Sequence, residues 1–364
     1  MNIETELKKE GIEVVEQLDE QITNQIASSV ARRIYETFPN YGLNENDLAQ
    51  KLLKLSMYKA KMQEGMSEAS YFYKNTSIYF NSNIPDEDLE EFAVHECIHY
   101  IQEVKDKRNN LVKMGLSDYS TSKVNGEGLN EAAVQLMASK VIGIEKEEVK
   151  YFGLSFETTS PSYYPIECCL VNQLAYLLGE DLLFESTMNS NDTFKNKFIS
   201  EMSIKTYLCV QSALDTILEA EENIVKLNNK IFNSKDEDKR NDNMVQKIGE
   251  LKSEILLTFL KTQNLIISSY FNNNIKKIKN LEQVENFRRK LYNFKNYLGA
   301  TDGYTFFHDF YVEKMEELEH IYNTLENDGA ETALVTTTKK ESFFAMIIKK
   351  IKALFTKKDV VKEK

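Results

Sequence analysis

The chain is short of the residues that interrupt or staple a polypeptide. It has four prolines in 364 residues, at Pro39, Pro85, Pro161 and Pro165, and none beyond. Proline is the strongest helix breaker, so the rest of the chain is open to long helices. The four cysteines, Cys97, Cys168, Cys169 and Cys209, include an adjacent pair. That spacing is neither a disulfide framework nor a CxxC metal knuckle, and it fits a reduced, cytoplasmic protein. No run approaches the roughly 18 apolar residues of a membrane span, and "MNIETELKKEGIEVVEQ" lacks the apolar stretch of a secretory signal. Positive charge is scarce too. Lys and Arg number 45 against 57 Asp and Glu, a net charge of -12, which argues against a nucleic-acid partner. The exception is the segment from Lys339 to Lys364, with nine lysines and three acids.

What is present is enough apolar residue, 42%, for one large or two medium domains. Leu18, Ile22, Ile26, Val30 and Ile34 track one face of a helix expected over about 12–37, and another helix is expected to end near Lys61. "SYFYKNTSIYFN" is rich in aromatic and β-branched residues and reads as a short hairpin or strand pair. "SNIPDEDLEEFAVHECIHYIQEV" then opens a helix with a proline and acids in its first turn. "GLNEAAVQLMASKVIG" and "YYPIECCLVNQLAYLLGEDLL" each read as a helix. From about 203, apolar stripes at helical spacing mark long amphipathic helices, separated by the charged linker "NSKDEDKRNDN". The expected fold is α+β, predominantly helical, with a small antiparallel β element. It divides into a core at 1–200, a helical bundle or coiled region at 201–327, and a linker with a basic amphipathic helix at 328–364.

Histidine is the scarcest useful residue: His95, His99, His308 and His320 are the full set. Two of them fall in "HECIH", four apart on an expected helix, where one face presents both rings to the same point. Glu96 sits between them, placed to hydrogen-bond a metal-bound water without ligating the metal. Zinc brings the pKa of such a water toward about 7, and a carboxylate can then take its proton. Phe92, Ala93, Val94, Ile98 and Ile101 make this helix apolar around much of its circumference. Buried histidines there need a partner to offset several kcal/mol of lost solvation. A catalytic zinc takes a third protein ligand and leaves a position open. An HExxHxxGxxH continuation fails at Gln102 and Lys105, so Glu131 in "GLNEAAVQ" is the better third ligand, with Glu127 as its rival one turn earlier.

An HExxH helix followed by a loop and a helix opening with Asn-Glu resembles the gluzincin group of zinc metallopeptidases, which includes thermolysin-like enzymes. The resemblance covers about residues 70–180. It implies a zincin-like core in which His95, His99 and Glu131 ligate Zn2+ and Glu96 is the general base for peptide-bond hydrolysis. It gives "NTSIYFN" the role of an edge strand for substrate pairing, the alternative being a plain core strand. Members of the group place an aspartate four residues after the ligand glutamate; here that position is Gln135. An oxyanion donor is sought among Tyr163, Tyr164 and the Arg289/Tyr292 pair.

The leading expectation is thus a cytoplasmic zinc metallopeptidase acting on a peptide or protein substrate. The other reading is a zincin-shaped scaffold with little turnover. In "ESFFAMIIKKIKALFTKK" apolar residues at helical spacing are surrounded by lysines. Residues 341–358 are therefore expected either to contact the inner membrane surface or a partner helix, or to pack on their own domain.

Overall fold

A computed structural model describes residues 3–62, 68–120, 123–232, 240–301 and 306–330. The basic segment 341–358 lies outside them. The N-terminal part runs α1 (Ile3–Lys9), β1 (Ile12–Gln17), α2 (Glu20–Thr37), α3 (Glu45–Leu52), β2 (Ser56–Met62), β3 (Ala69–Phe72) and β4 (Ser77–Asn81). Helix α4 (Leu89–Gln102) carries the HExxH pattern. It is followed by β5 (Glu103–Lys105), β6 (Leu111–Met114), β7 (Ser117–Tyr119) and β8 (Val124–Asn125), then by α5 (Glu127–Ile142). The hairpin β9 (Glu147–Tyr151) and β10 (Leu154–Thr158) precedes α6 (Pro165–Leu178), α7 (Glu180–Met188) and α8 (Thr193–Glu201). The long helices are α9 (Ile204–Phe232), α10 (Arg240–Ile275), α11 (Leu281–Phe294) and α12 (Phe306–Ala330). The protein is therefore a mostly helical α+β fold with small sheets, and none of its described helices is long and apolar enough to cross a membrane.

The main sheet has the order β1-β2-β4-β3, with β2 and β4 parallel and the outer pairs antiparallel. Two of its strands stand where helix was expected. The helix expected over 12–37 begins only at α2, whose N-cap Asp19 accepts from the Gln21 amide at 2.7 Å. The residues before it pair with β2, Ile12 opposite Met62. Val14 and Val15 are β-branched, which favours this extended form. The helix expected to reach Lys61 ends at Leu52, and β2 takes its place. Its alternation was disguised by Lys59, an inward-facing lysine buried with its ammonium on Asp86 at 3.0 Å and on the Ile84 carbonyl.

The expected hairpin is β3 and β4, paired antiparallel with Tyr71 opposite Ile78. Of the two roles held open for "NTSIYFN", the structure supports the core strand. Ile78, Tyr79 and Phe80 are buried in β4, which lies between β2 and β3, and β3 forms the edge. The helix expected through "YYPIECCLVNQLAYLLGEDLL" is interrupted at Gly179, giving α6 and α7.

The described residues fall in two compact units, one drawn from Met1–Asn273 and Phe294–Tyr304, the other from Asn274–Asn293 and Thr305–Lys364. Within the first, α9 packs directly on α5. They approach closely at Gly128, where an added methyl would stand 2.5 Å from the Leu214 carbonyl oxygen. Only glycine permits that spacing. Asp215 of α9 then accepts from the Gly126 amide at 2.9 Å and the Gly128 amide at 3.0 Å. These are free donors at the start of α5, and a carboxylate satisfies them and complements the helix dipole.

Candidate metal centre

Helices α4 and α5 pack against each other, and the alanines they carry, Ala93 on one and Ala132 and Ala133 on the other, are buried. Arg33 of α2 fixes both helices, reaching Glu90 at the start of α4 at 3.1 Å and the Val141 carbonyl near the end of α5 at 3.2 Å. Asn130 ties the other end. Its amide nitrogen donates to Gln102 at 3.3 Å, and its oxygen accepts from the Leu116 backbone at 2.9 Å.

Between these anchors the Nε2 atoms of His95 and His99 lie 2.9 Å apart. Glu131 places one oxygen 3.2 Å from the first and the other 3.3 Å from the second. The three donor groups lie within 4.8 Å of one another and could hold a metal ion; among the described residues no fourth His, Cys, Asp or Glu joins them. The electrostatics fit a cation. Burial alone would depress the His99 imidazole, but the Glu131 carboxylate reverses this and raises it to about 9. Burial would likewise raise Glu131, yet His99 and His95 hold it well below the usual carboxylate range. Two imidazole nitrogens and a carboxylate facing one point repel unless positive charge stands between them. A proton on His99 meets that need, and a divalent ion with both rings neutral meets it as well.

Glu127 does not join the group. It lies one turn earlier on α5, and burial followed by the charge of Glu131 pushes it up to about 7. Glu131, the carboxylate the sequence favoured, is the one that reaches both imidazoles.

Glu96 is buried beside the cluster, and its Oε2 accepts from the Tyr71 backbone amide at 2.6 Å. That amide belongs to the edge strand β3 and faces away from β4. Gln135 occupies the position where a second-sphere aspartate was sought, and its Oε1 lies 2.9 Å from Nδ1 of His95. With the amide oxygen as acceptor, Nδ1 carries the proton and Nε2 is left free for a ligand. His99 differs, because its Nδ1 and the Gln102 amide nitrogen are both buried without a partner.

Of the residues considered for an oxyanion donor, Tyr164 is the one at the cluster. Its ring stacks on His95 with centroids 6.0 Å apart, and the charge of Glu131 acts on its hydroxyl. Burial first, then the charges of Glu131, Glu96 and Glu167, holds the phenol protonated. Its backbone is left-handed, φ 49°, directly ahead of Pro165 at the start of α6. Tyr163 donates instead to Glu68. Arg289 and Tyr292 lie on α11 in the second unit, and His308 and His320 lie on α12. A cavity of about 70 Å³ opens beside His95 and Glu96, bounded also by Ala69, Phe92 and Tyr164.

Sequence reasoning missed the Tyr71 amide, the Asp215 clamp and the role of Gln135. Only the last had a local signal, since Gln135 is four residues after Glu131 and shares its helix face.

Fold and site together define a helical α+β protein with a His-His-Glu group able to hold a metal ion. Compared with protein-family models, with curated proteins and with solved structures, the chain matches none.

Proposed function

We propose that the chain is a zinc-dependent peptidase of gluzincin-like design. The observation that carries this reading is the convergence of His95, His99 and Glu131 beside a separate, immobilised carboxylate, Glu96. Two imidazoles and one carboxylate suit zinc, and a three-ligand set leaves a coordination position for solvent or substrate, as catalytic sites do and structural sites do not. When bound, the ion supplies Lewis acidity toward a water molecule and toward the carbonyl under attack.

The remaining work falls to the chain's own groups. Glu96, pinned by the Tyr71 amide, takes the proton of the attacking water and passes it to the leaving amine. Tyr164 donates its hydroxyl proton in a hydrogen bond to the oxyanion that develops on the substrate. Gln135 holds the His95 ring in the tautomer that ligates through Nε2. Strand β3 offers a sheet edge along which an extended peptide can pair. A peptide or protein is thus the proposed substrate, and the proposed location is the cytoplasm.

The test is metal content together with peptide cleavage for the unaltered chain, His95→Ala and Glu96→Gln. Zinc is expected in the first and last and lost from His95→Ala. Hydrolysis is expected to fall on the order of a hundredfold or more in Glu96→Gln, which loses the general base. Equal turnover in Glu96→Gln, or zinc without any cleavage in the unaltered chain, overturns the reading in favour of a zincin-shaped scaffold.

A further inference from the structure

Besides Glu96, the cavity beside His95 carries two further carboxylates, Glu68 just ahead of β3 and Glu91 in the first turn of α4. They come from separate segments and meet at one phenol. Tyr163 donates its hydroxyl proton to Glu68, and the charge of Glu91 acts on the same hydroxyl. Among the described residues, no basic residue apart from His95 lines the cavity. The contrast with the preceding residue is informative. Glu90 is neutralised by Arg33 at 3.1 Å, whereas Glu91 has no described lysine or arginine paired with it. Two unneutralised acids held near each other against low-dielectric walls focus negative potential, and a cation placed between them relieves their repulsion.

The rest of the lining is apolar, from Phe92 on α4 to Ala138, Ile142 and Ile144 at the far end of α5. A lysine or arginine side chain matches both parts, since its methylene stem covers apolar surface and its head is cationic. An uncharged side chain of the same length would cover the wall but leave the two carboxylates facing each other. An acidic one would add a further like charge.

We propose that this cavity is a specificity pocket for a lysine or arginine side chain adjacent to the bond under attack, an inference that rests on the peptidase reading. The chain's net charge of -12 favours the approach of such cationic peptides at long range.

Two measurements on the full, zinc-loaded chain separate this inference from the peptidase reading. One is cleavage of matched peptides that differ only in carrying lysine, norleucine or glutamate at that position. The other is binding of the corresponding peptide hydroxamates, which reports selectivity whether or not the protein turns over. Lysine is expected to exceed norleucine by roughly fivefold or more in both, with glutamate lowest, as for an incompletely buried ion pair. The lysine-to-norleucine ratio is expected to fall to within about twofold in Glu68→Gln/Glu91→Gln, and Glu91→Lys to improve the glutamate peptide relative to lysine. Norleucine binding as well as lysine, or a lysine preference that survives the double substitution, overturns the pocket. Lysine-selective hydroxamate binding with no cleavage keeps the pocket and removes the peptidase.

Discussion

The side-chain oxygen of Gln135 sits 2.9 Å from Nδ1 of His95, on the side of the ring away from the other donors. A neutral amide here fixes the tautomer without adding negative charge beside Glu131. Gln135→Leu keeps the bulk and removes the acceptor, so metal affinity is expected to drop about 10–100-fold. Gln135→Glu, which restores an acceptor, is expected to recover most of it. Competition against a chelator of known affinity reads both.

Glu131 and Glu127 stand one turn apart on α5, yet only Glu131 reaches both imidazoles. Glu131→Gln is therefore expected to release the metal, while Glu127→Gln is expected to retain it. Elemental analysis of the two purified variants decides, and retention by Glu131→Gln would remove the third ligand from the site.

Asp215 reaches across from α9 to the first amides of α5. Asp215→Ala leaves two backbone donors without their carboxylate, a loss of about 1–3 kcal/mol in denaturant unfolding. Because α5 carries Glu131, metal affinity is expected to fall with stability, and Asp215→Asn to lose less of each. Gly128→Ala, which drives a methyl into the Leu214 carbonyl, is expected to destabilise the fold more than typical surface changes.

Glu167 on α6 is fully buried, and neither of its oxygens has a partner. Burial, then the charge of Glu221 on α9, pushes its carboxyl well above the usual range; burial raises Glu221 to about 7 from an ordinary 4.5. A carboxyl with a raised folded-state pKa holds its proton more tightly folded than unfolded. Its stabilising effect is fully present below pH about 4.5 and is lost as pH rises through about 7. Unfolding free energy is expected to fall across that window by on the order of 1–3 kcal/mol, and Glu221→Gln to flatten the slope. Denaturant midpoints at pH 5 and pH 8 for both proteins measure it.

Parts of this structure were legible because they depend on local geometry. The His95–His99 pair shares a face on any helix, and the flanking apolar residues made that helix buried. The long helices α9 and α10 follow from stripes such as Leu214, Ile217 and Leu218, or Ile248, Leu251 and Ile255, all of which are buried. Strands β1 and β2 were hidden. Their pairing joins residues about fifty positions apart, and Lys59 breaks the inward alternation by finding its partner in Asp86. The isolated segment carried no sign of that partner.

By itself the sequence determined that one helix would present two imidazoles and the Glu96 carboxylate, because a four-residue spacing is set within a single turn. It also determined a mostly helical chain, through scarce proline and apolar stripes. Only the tertiary structure brought Glu131 to both imidazoles, turned Gln135 into the acceptor for His95, and set Tyr164 rather than Tyr163 against the cluster. Each choice depends on how α4, α5, α6 and α9 close on one another. That closure is set by contacts such as Gly128 against Leu214 and Arg33 across two helices, between residues far apart in the chain.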